Sequence, residues 1–208
     1  KHGRGDFQKA RLYHWAHADA NTVTGILESE VPPLEGRVFY NYPGQSAVNT
    51  IGTLGFPSAV GRVVKDSTGA NQTQVTRFTY NSQANVTSIT DPLSRQTLLD
   101  YDANGIDVVA LKQRTGGSSS VTMASYTYGA GAPPHRPATV TDGAGRTTTF
   151  TYSATTGQVL TITNAKSEVT TLTYETNTSS PAYGRLLSIT GDVAGGNRTF
   201  TYDTYGRV

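Results

Sequence analysis

The stretch Ala84–Tyr101, ANVTSITDPLSRQTLLDY, decides the architecture of this 208-residue chain. An alternating run ends at Asp91, Pro92-Leu93-Ser94-Arg95 follows, and a second alternating run ends at Tyr101. Asp bonds its own backbone two residues on, and Pro presets φ for the first central position of a type I turn. The stretch reads as strand, tight turn, strand.

The unit recurs along the chain, which makes it a repeat rather than one hairpin. With Asp91 as a turn slot and Tyr101 as an anchor, further slots fall at Pro32, Asp66, Lys112, Asp142, Asn164 and Gly191. The matching anchors are Tyr42, Tyr80, Tyr128, Tyr152, Tyr174 and Tyr202. Slot and anchor are ten residues apart in four units and eleven in the last. In the Asp66 and Lys112 units the spacing is longer, and the Gly/Ser/Asn-rich segments 67–72 and 116–120 predict insertions in the turns. Seven residues before the slot, Gly25, Gly105, Gly157 and Gly184 predict a positive-φ position opening the first strand.

Both strands alternate as half-buried strands do. Two residues before each anchor stand Tyr40, Phe78, Leu99, Tyr126, Phe150, Leu172 and Phe200, while the residue between is Asn41, Asp100 or, five times, Thr. Two residues before the slots come Glu30, Val64, Ile89, Ala110, Val140, Ile162 and Ile189, so only the first unit breaks the apolar rule. One face of the sheet is apolar and the other polar. Composition agrees: charged residues are 15% of the chain against about a quarter in ordinary domains, and Thr is about a sixth. An all-helical fold is excluded.

Seventeen basic and fifteen acidic residues, net +2, are scattered singly, which argues against a nucleic-acid partner. There is no cysteine, hence no disulfide framework or thiolate metal site. No apolar run approaches the ~18 residues of a membrane span, and residues 1–10 lack a signal-peptide core. The closing Tyr205-Gly206-Arg207-Val208 stands in mid-pattern, as expected of a piece of a longer protein.

The segments Leu99–Gly105, LDYDANG, and Thr199–Val208, TFTYDTYGRV, carry the Tyr-Asp dipeptide and turn Gly that name YD repeats. With Thr90–Arg95 and Thr141–Arg146, they make residues 11–208 resemble the repeat region of bacterial Rhs (rearrangement hotspot) proteins. Residues 9–45, with Leu12-Tyr13-His14-Trp15 and Pro33-Leu34-Glu35-Gly36-Arg37, resemble the start of such arrays in Gram-negative members. Tyr-Asp itself survives only at Tyr101 and Tyr202, and the slot is acidic in three of seven units, so the array is diverged.

The resemblance implies an all-β fold: a β-hairpin solenoid whose antiparallel sheet spirals into part of a hollow shell. In bacterial toxins such a shell encloses a variable toxic C-terminal domain; related vertebrate teneurins use it in adhesion. The self-cleaving carboxylate motif that closes bacterial shells, and any toxin domain, match no segment of this chain. Residues 1–45 are read as a degenerate opening segment with the first unit, and 46–208 as about six further units of one solenoid.

Catalytic signatures are missing: there is no G-x-S-x-G elbow, P-loop or G-x-G-x-x-G, and the carboxylates are turn residues. The expectation is a non-enzyme without catalytic, cofactor or metal residues. Asp100–Gly105 matches the first half of an EF-hand loop, but position twelve is Leu111 and the flanks are strands. His14 and His17 stand beside Trp15 and Asp19 without a third metal ligand. Arg4-Gly5-Asp6 spells an adhesion tripeptide of common residue types, and Asn71, Asn85, Asn177 and Asn197 head glycosylation acceptor sequences. The seven anchors are read as structural, their rings stacking from repeat to repeat in a core ladder.

The expected function is mechanical: shell wall around a C-terminal polymorphic toxin, with the remaining repeats and that toxin as partners, secreted or at a bacterial cell surface. About fourteen strands are too few to close a chamber, and the open sheet edges predict that a lone copy oligomerises, aggregates or needs its other repeats. The rival expectations are a carbohydrate-binding or adhesive surface module contacting glycans through exposed aromatics, and an extracellular fibre of stacked arrays.

Overall fold

The computed structural model describes residues 9–129, 131–192 and 196–208; Arg4-Gly5-Asp6 lies outside them. The described chain is all-β, with fifteen strands in one sheet whose spatial order is the sequence order. The chain divides into two compact units, one running to Leu99 and including residues 113–120, the other holding 100–112 and 121–208.

The first unit contains β1 (Leu12–His17), β2 (Val23–Val31), β3 (Val38–Asn41), β4 (Ala59–Lys65), β5 (Asn71–Tyr80) and β6 (Val86–Thr90). β7 (Gln96–Tyr101) pairs antiparallel with β6 through Ser88 and Leu98, Ile89 and Thr97, and Thr90 and Gln96. The long β3–β4 loop is tied to β1: Ile51 donates its amide to the His17 carbonyl at 3.0 Å, and the His17 amide donates to Asn49 at 2.8 Å. In the second unit lie most of β8 (Val108–Gly116) and β9 (Ser119–Thr127), then β10 (Thr139–Asp142), β11 (Thr147–Tyr152), β12 (Val159–Thr163), β13 (Val169–Tyr174), β14 (Leu186–Gly191) and β15 (Arg198–Thr199).

Register explains why the pattern alternates. In four units the large residue two before the anchor pairs with the apolar residue two before the next slot: Phe78 with Ile89, Tyr126 with Val140, Phe150 with Ile162 and Leu172 with Ile189; Tyr40 pairs with Val60 instead. An aromatic or leucine against a β-branched side chain is the favourable cross-strand pair, about 0.2–1 kcal/mol over Ala–Ala. The apolar row is thus built of unlike partners rather than of stacked rings. On the other face hydroxyls meet across the strands: Thr79 with Ser88 (2.8 Å), Thr127 with Thr139 (2.7 Å), Thr151 with Thr161 (2.6 Å) and Thr173 with Ser188 (2.7 Å).

The two longer units insert strand rather than turn. β4 and β5 pair in seven successive rows from Ala59–Arg77 to Lys65–Asn71, and the turn between them keeps its ordinary length. Lys112, expected as a turn slot, lies inside β8, and the reversal comes at Gly116 and Gly117, the latter at φ 51°. Added residues that pair in a ladder satisfy their amides, whereas residues added to a turn do not.

Of the four glycines expected at positive φ, Gly105, Gly157 and Gly184 adopt it, at 69°, 68° and 74°. Gly25 instead lies within β2. The same repeat position is left-handed at Ala84 (φ 63°) and His135 (φ 62°), where a Cβ opposes it. Ala84→Gly is therefore expected to stabilise the chain by about 1 kcal/mol, read as a higher urea midpoint; an unchanged or lower midpoint contradicts it.

Little of the sheet is out of water. Among the described residues the buried apolar side chains are Ala16, Val38, Tyr42 and Ala182. No α-helix or second sheet covers either face among the described residues.

Candidate functional site

The repeated positions converge on two devices, a hydroxyl strap and a turn clamp. The strap is made by the anchors. Tyr42 donates its hydroxyl to the Leu27 carbonyl, Tyr80 to Pro57, Tyr128 to Val108, Tyr152 to Pro137 and Tyr202 to Leu186, all at 2.7–2.9 Å. Each acceptor lies in or just before the first strand of that tyrosine's own repeat, so the bond ties the second strand's end back across the hairpin. Burial pushes the hydroxyl pKa up at Tyr42, Tyr80, Tyr101, Tyr128 and Tyr152, which keeps these groups donors into alkaline solution. Tyr40 is pushed up to about 12 by burial and by the Glu30 carboxylate, which accepts its hydroxyl at 2.9 Å. Tyr174 lines a pocket, and its hydroxyl has no hydrogen-bond partner among the described residues.

Ring stacking between successive anchors, as expected of a core ladder, gives way to these bonds. Tyr80 does meet a ring, but it is Phe56 of the β3–β4 loop, with centroids 6.2 Å apart. A phenol at the end of a strand reaches a carbonyl in or just before the strand that precedes it in sequence, and a buried carbonyl left unpaired costs more than a ring contact supplies.

The clamp is made at the slots Asp66, Asp91, Asp142 and Asn164, and by the residue after an anchor at Asn81 and Asp203. Asp91 accepts the Leu93 and Arg95 amides on one oxygen at 2.9 and 2.8 Å, and Arg95 Nε on the other at 2.6 Å. Asp142 does the same with Ala144 and Arg146, and Asp203 with Tyr205 and Arg207. In each case the backbone closes by the turn's first and fifth residues, with the fourth left-handed: Ser94 at 63°, Gly145 at 79° and Gly206 at 73°. Asn164 keeps the two amide bonds, to Lys166 and Glu168, and reverses the side-chain pair by donating to Glu168. The acid can be lost from a slot because the amides need an oxygen, not a charge.

The same geometry sets the titration of the slots. The Arg146 and Arg207 amides, with their guanidinium groups, hold Asp142 and Asp203 below the usual carboxylate range. At Asp91 desolvation acts in the opposite sense, yet the Arg95 amide and guanidinium keep the carboxyl low. Asp66 is pulled down to about 2 by the Thr68 hydroxyl, then by Gln72. A carboxylate lowered in the folded chain stabilises it above its unfolded pKa, about 3.9, and loses that contribution as pH falls through the folded value. The raised tyrosines act in the other direction, stabilising below about 10 and losing this as pH rises beyond it. The urea midpoint is expected to be level between these limits, falling below about pH 4 and above about pH 10; a midpoint indifferent to pH contradicts the assignment.

The half EF-hand loop is such a turn. Asp102 opens it, and Asn104 accepts the Ile106 and Asp107 amides and donates to the Asp107 carboxylate at 2.6 Å. Asp107, 8% exposed, also meets His135 Nδ1 at 2.9 Å across a sequence distance no motif announces. Asp100 is paired with Lys112. His14 faces Glu28 at 3.9 Å, and among the described residues no His, Cys, Asp and Glu cluster is arranged to hold a metal ion. No helix among them is long and apolar enough to cross a membrane.

No protein-family profile and no curated protein matches this chain. Solved structures do. A crystal structure of TcdB2-TccC3 overlays 93% of the chain with a TM-score of 0.65 at 15% identity. TcdB2-TccC3 without its hypervariable C-terminal region gives 0.66 at 15% identity, and the Photorhabdus luminescens Tc holotoxin pore gives 0.65 at 15%, both over 93% of the chain. The chain spans about a tenth of the length of these solved chains, 10% in each. Consecutive strand order, repeated turns and backbone overlay agree: this chain has the hairpin-array fold of those assemblies, the architecture implied by its resemblance to Rhs/YD-repeat proteins.

Proposed function

We propose that this chain is wall, a stretch of an Rhs-type shell that encloses a C-terminal toxin segment of the same, longer polypeptide. The observation that carries the reading is the strap and clamp repeated along one sheet of consecutive strands, a way to extend a surface in one dimension without a core of its own. The overlay with a holotoxin pore and with TcdB2-TccC3 without its hypervariable C-terminal region supports it. The role is mechanical rather than enzymatic, the partners are the remaining repeats and the enclosed toxin, and the place of action is outside the producing cell or on its surface. The uncovered sheet fits this reading, because further repeats or cargo would take up the exposed area.

The deciding experiment is electron microscopy of the purified full-length parent. Closed hollow particles with internal density are expected; open rods or filaments overturn the shell. A second reading, an adhesive or glycan-binding surface, is favoured by Trp15 and Tyr13, 39% and 47% exposed with rings 5.8 Å apart. A glycan array probed with the chain and with Trp15→Ala tests it, and binding that is absent or indifferent to Trp15 removes it.

A further inference from the structure

Tyr174 departs from the strap pattern, and the departure opens a site. Five anchors spend their hydroxyls on backbone carbonyls, while the Tyr174 hydroxyl has no partner among the described residues. Behind it the turn closes late. The Glu175 amide donates to the Arg185 carbonyl at 2.9 Å, so eleven residues, 175–185, stand where Asp91 and Asp142 close with five. The loop brings Tyr183, 52% exposed, to a pocket of about 490 Å³ that Tyr174, Glu175, Ser153, Gln158 and Leu160 also line. That volume is in the range of small-ligand sites.

The polar groups of the pocket are unevenly committed. Gln158 is engaged at both ends, donating to the Gly184 carbonyl at 2.6 Å and accepting from Thr156 at 2.8 Å. Glu175 accepts the Asn177 amide on one oxygen at 2.8 Å, and its second oxygen has no partner among the described residues. Many other carboxylates here have a cation beside them: Glu30 has Arg11, Glu35 has Arg62, Asp100 has Lys112, and Asp142 has Arg146. Arg185, at the end of this turn, is occupied over the Tyr202 ring at 5.6 Å, and Arg136 is bonded to the Gly157 carbonyl. No Lys or Arg lines the pocket.

We propose that this pocket binds the guanidinium or primary ammonium of a basic peptide side chain, held by the Glu175 carboxylate and the faces of Tyr174 and Tyr183. A carboxylate beside electron-rich rings is the chemistry that selects an organic cation over a neutral group of the same shape. The Tyr174 hydroxyl adds an acceptor for a second N–H. Leu160 gives the alkyl stem an apolar wall. The site stands independently of the shell reading, since residues 153–160 and 174–184 of this chain line it by themselves.

The test is an NMR titration of the whole chain with N-acetyl-arginine amide and N-acetyl-lysine amide, against N-acetyl-citrulline amide, the neutral isostere of arginine, and against glucose. The expected result is saturable, low-millimolar binding of both cations, with shifts at Tyr183 and Glu175, and citrulline at least about tenfold weaker. Glu175→Gln is expected to weaken the cations about tenfold, and Tyr183→Ala several-fold, while Tyr183→Phe, which keeps the ring, stays within about twofold of the parent chain. Equal binding of citrulline, preferential binding of glucose, an unaffected Glu175→Gln variant or no saturable binding each overturns the proposal. Unchanged amide spectra of Glu175→Gln and Tyr183→Phe away from the pocket verify that both variants are folded.

Discussion

Replacing Tyr42 with alanine is expected to lower the unfolding free energy by about 3 kcal/mol. Tyr42 is the most buried of the anchors, 7% exposed, and its ring and hydroxyl act together. The hydroxyl closes on Leu27 at 2.7 Å, and the Tyr42 amide donates to the Gln45 side chain, which in turn donates to the Thr50 carbonyl. Tyr42→Phe removes the strap alone and takes its hydroxyl donor from the Leu27 carbonyl, an expected loss of about 1 kcal/mol. Tyr174→Phe, which removes a hydroxyl with no partner, is expected to stay within about 0.5 kcal/mol of the parent. Urea unfolding followed by the single tryptophan, Trp15, reads the Tyr42 variants in the unit that carries them; circular dichroism reads Tyr174→Phe. Equal losses for Phe at positions 42 and 174 remove the strap from the account.

Gly36→Ala is expected to cost about 2–3 kcal/mol. A Cβ at Gly36 runs into the carbonyl oxygen of Val63, a backbone atom. The neighbouring bond, from the Val63 amide to the Arg37 carbonyl at 2.9 Å, holds the chains at that distance, so neither can retreat without losing it. Gly69→Ala is the contrast: at φ 85° on the open tip of the β4–β5 turn it meets no atom within 4 Å and costs only the conformational penalty, about 1 kcal/mol. If the two variants unfold at the same urea concentration, close approach is not what Gly36 provides.

Much of this was legible in the residues. Strand period and turn chemistry are local, so Thr-Ile-Thr at 161–163 and Asp-Gly-Ala-Gly-Arg at 142–146 announce a strand and a clamp with no knowledge of the rest of the fold. Misreadings arose where two local structures share one composition. Segments 67–72 and 116–120 are rich in turn residues, yet Asn71, Gln72, Ser119 and Ser120 pair in strands, because a ladder already in register extends at little cost. Gly25 looked like its equivalents Gly105, Gly157 and Gly184 and lies flat in β2, which runs alongside the loop-tied β1.

Sequence alone determined that the chain is all-β, that hairpins repeat with tyrosines at their ends, and that one face is apolar while the other carries hydroxyls, since all of these follow from periodicity and turn preference within about ten residues. Tertiary structure decided what the tyrosines do. Whether a phenol bonds Val108 twenty residues back, or whether Asp107 meets His135, depends on where the sheet carries distant backbone. Only the closed loop shows that Tyr174 is left without a carbonyl and Glu175 without a cation, because an unmet partner is a property of three-dimensional surroundings and not of any residue's neighbours in the chain.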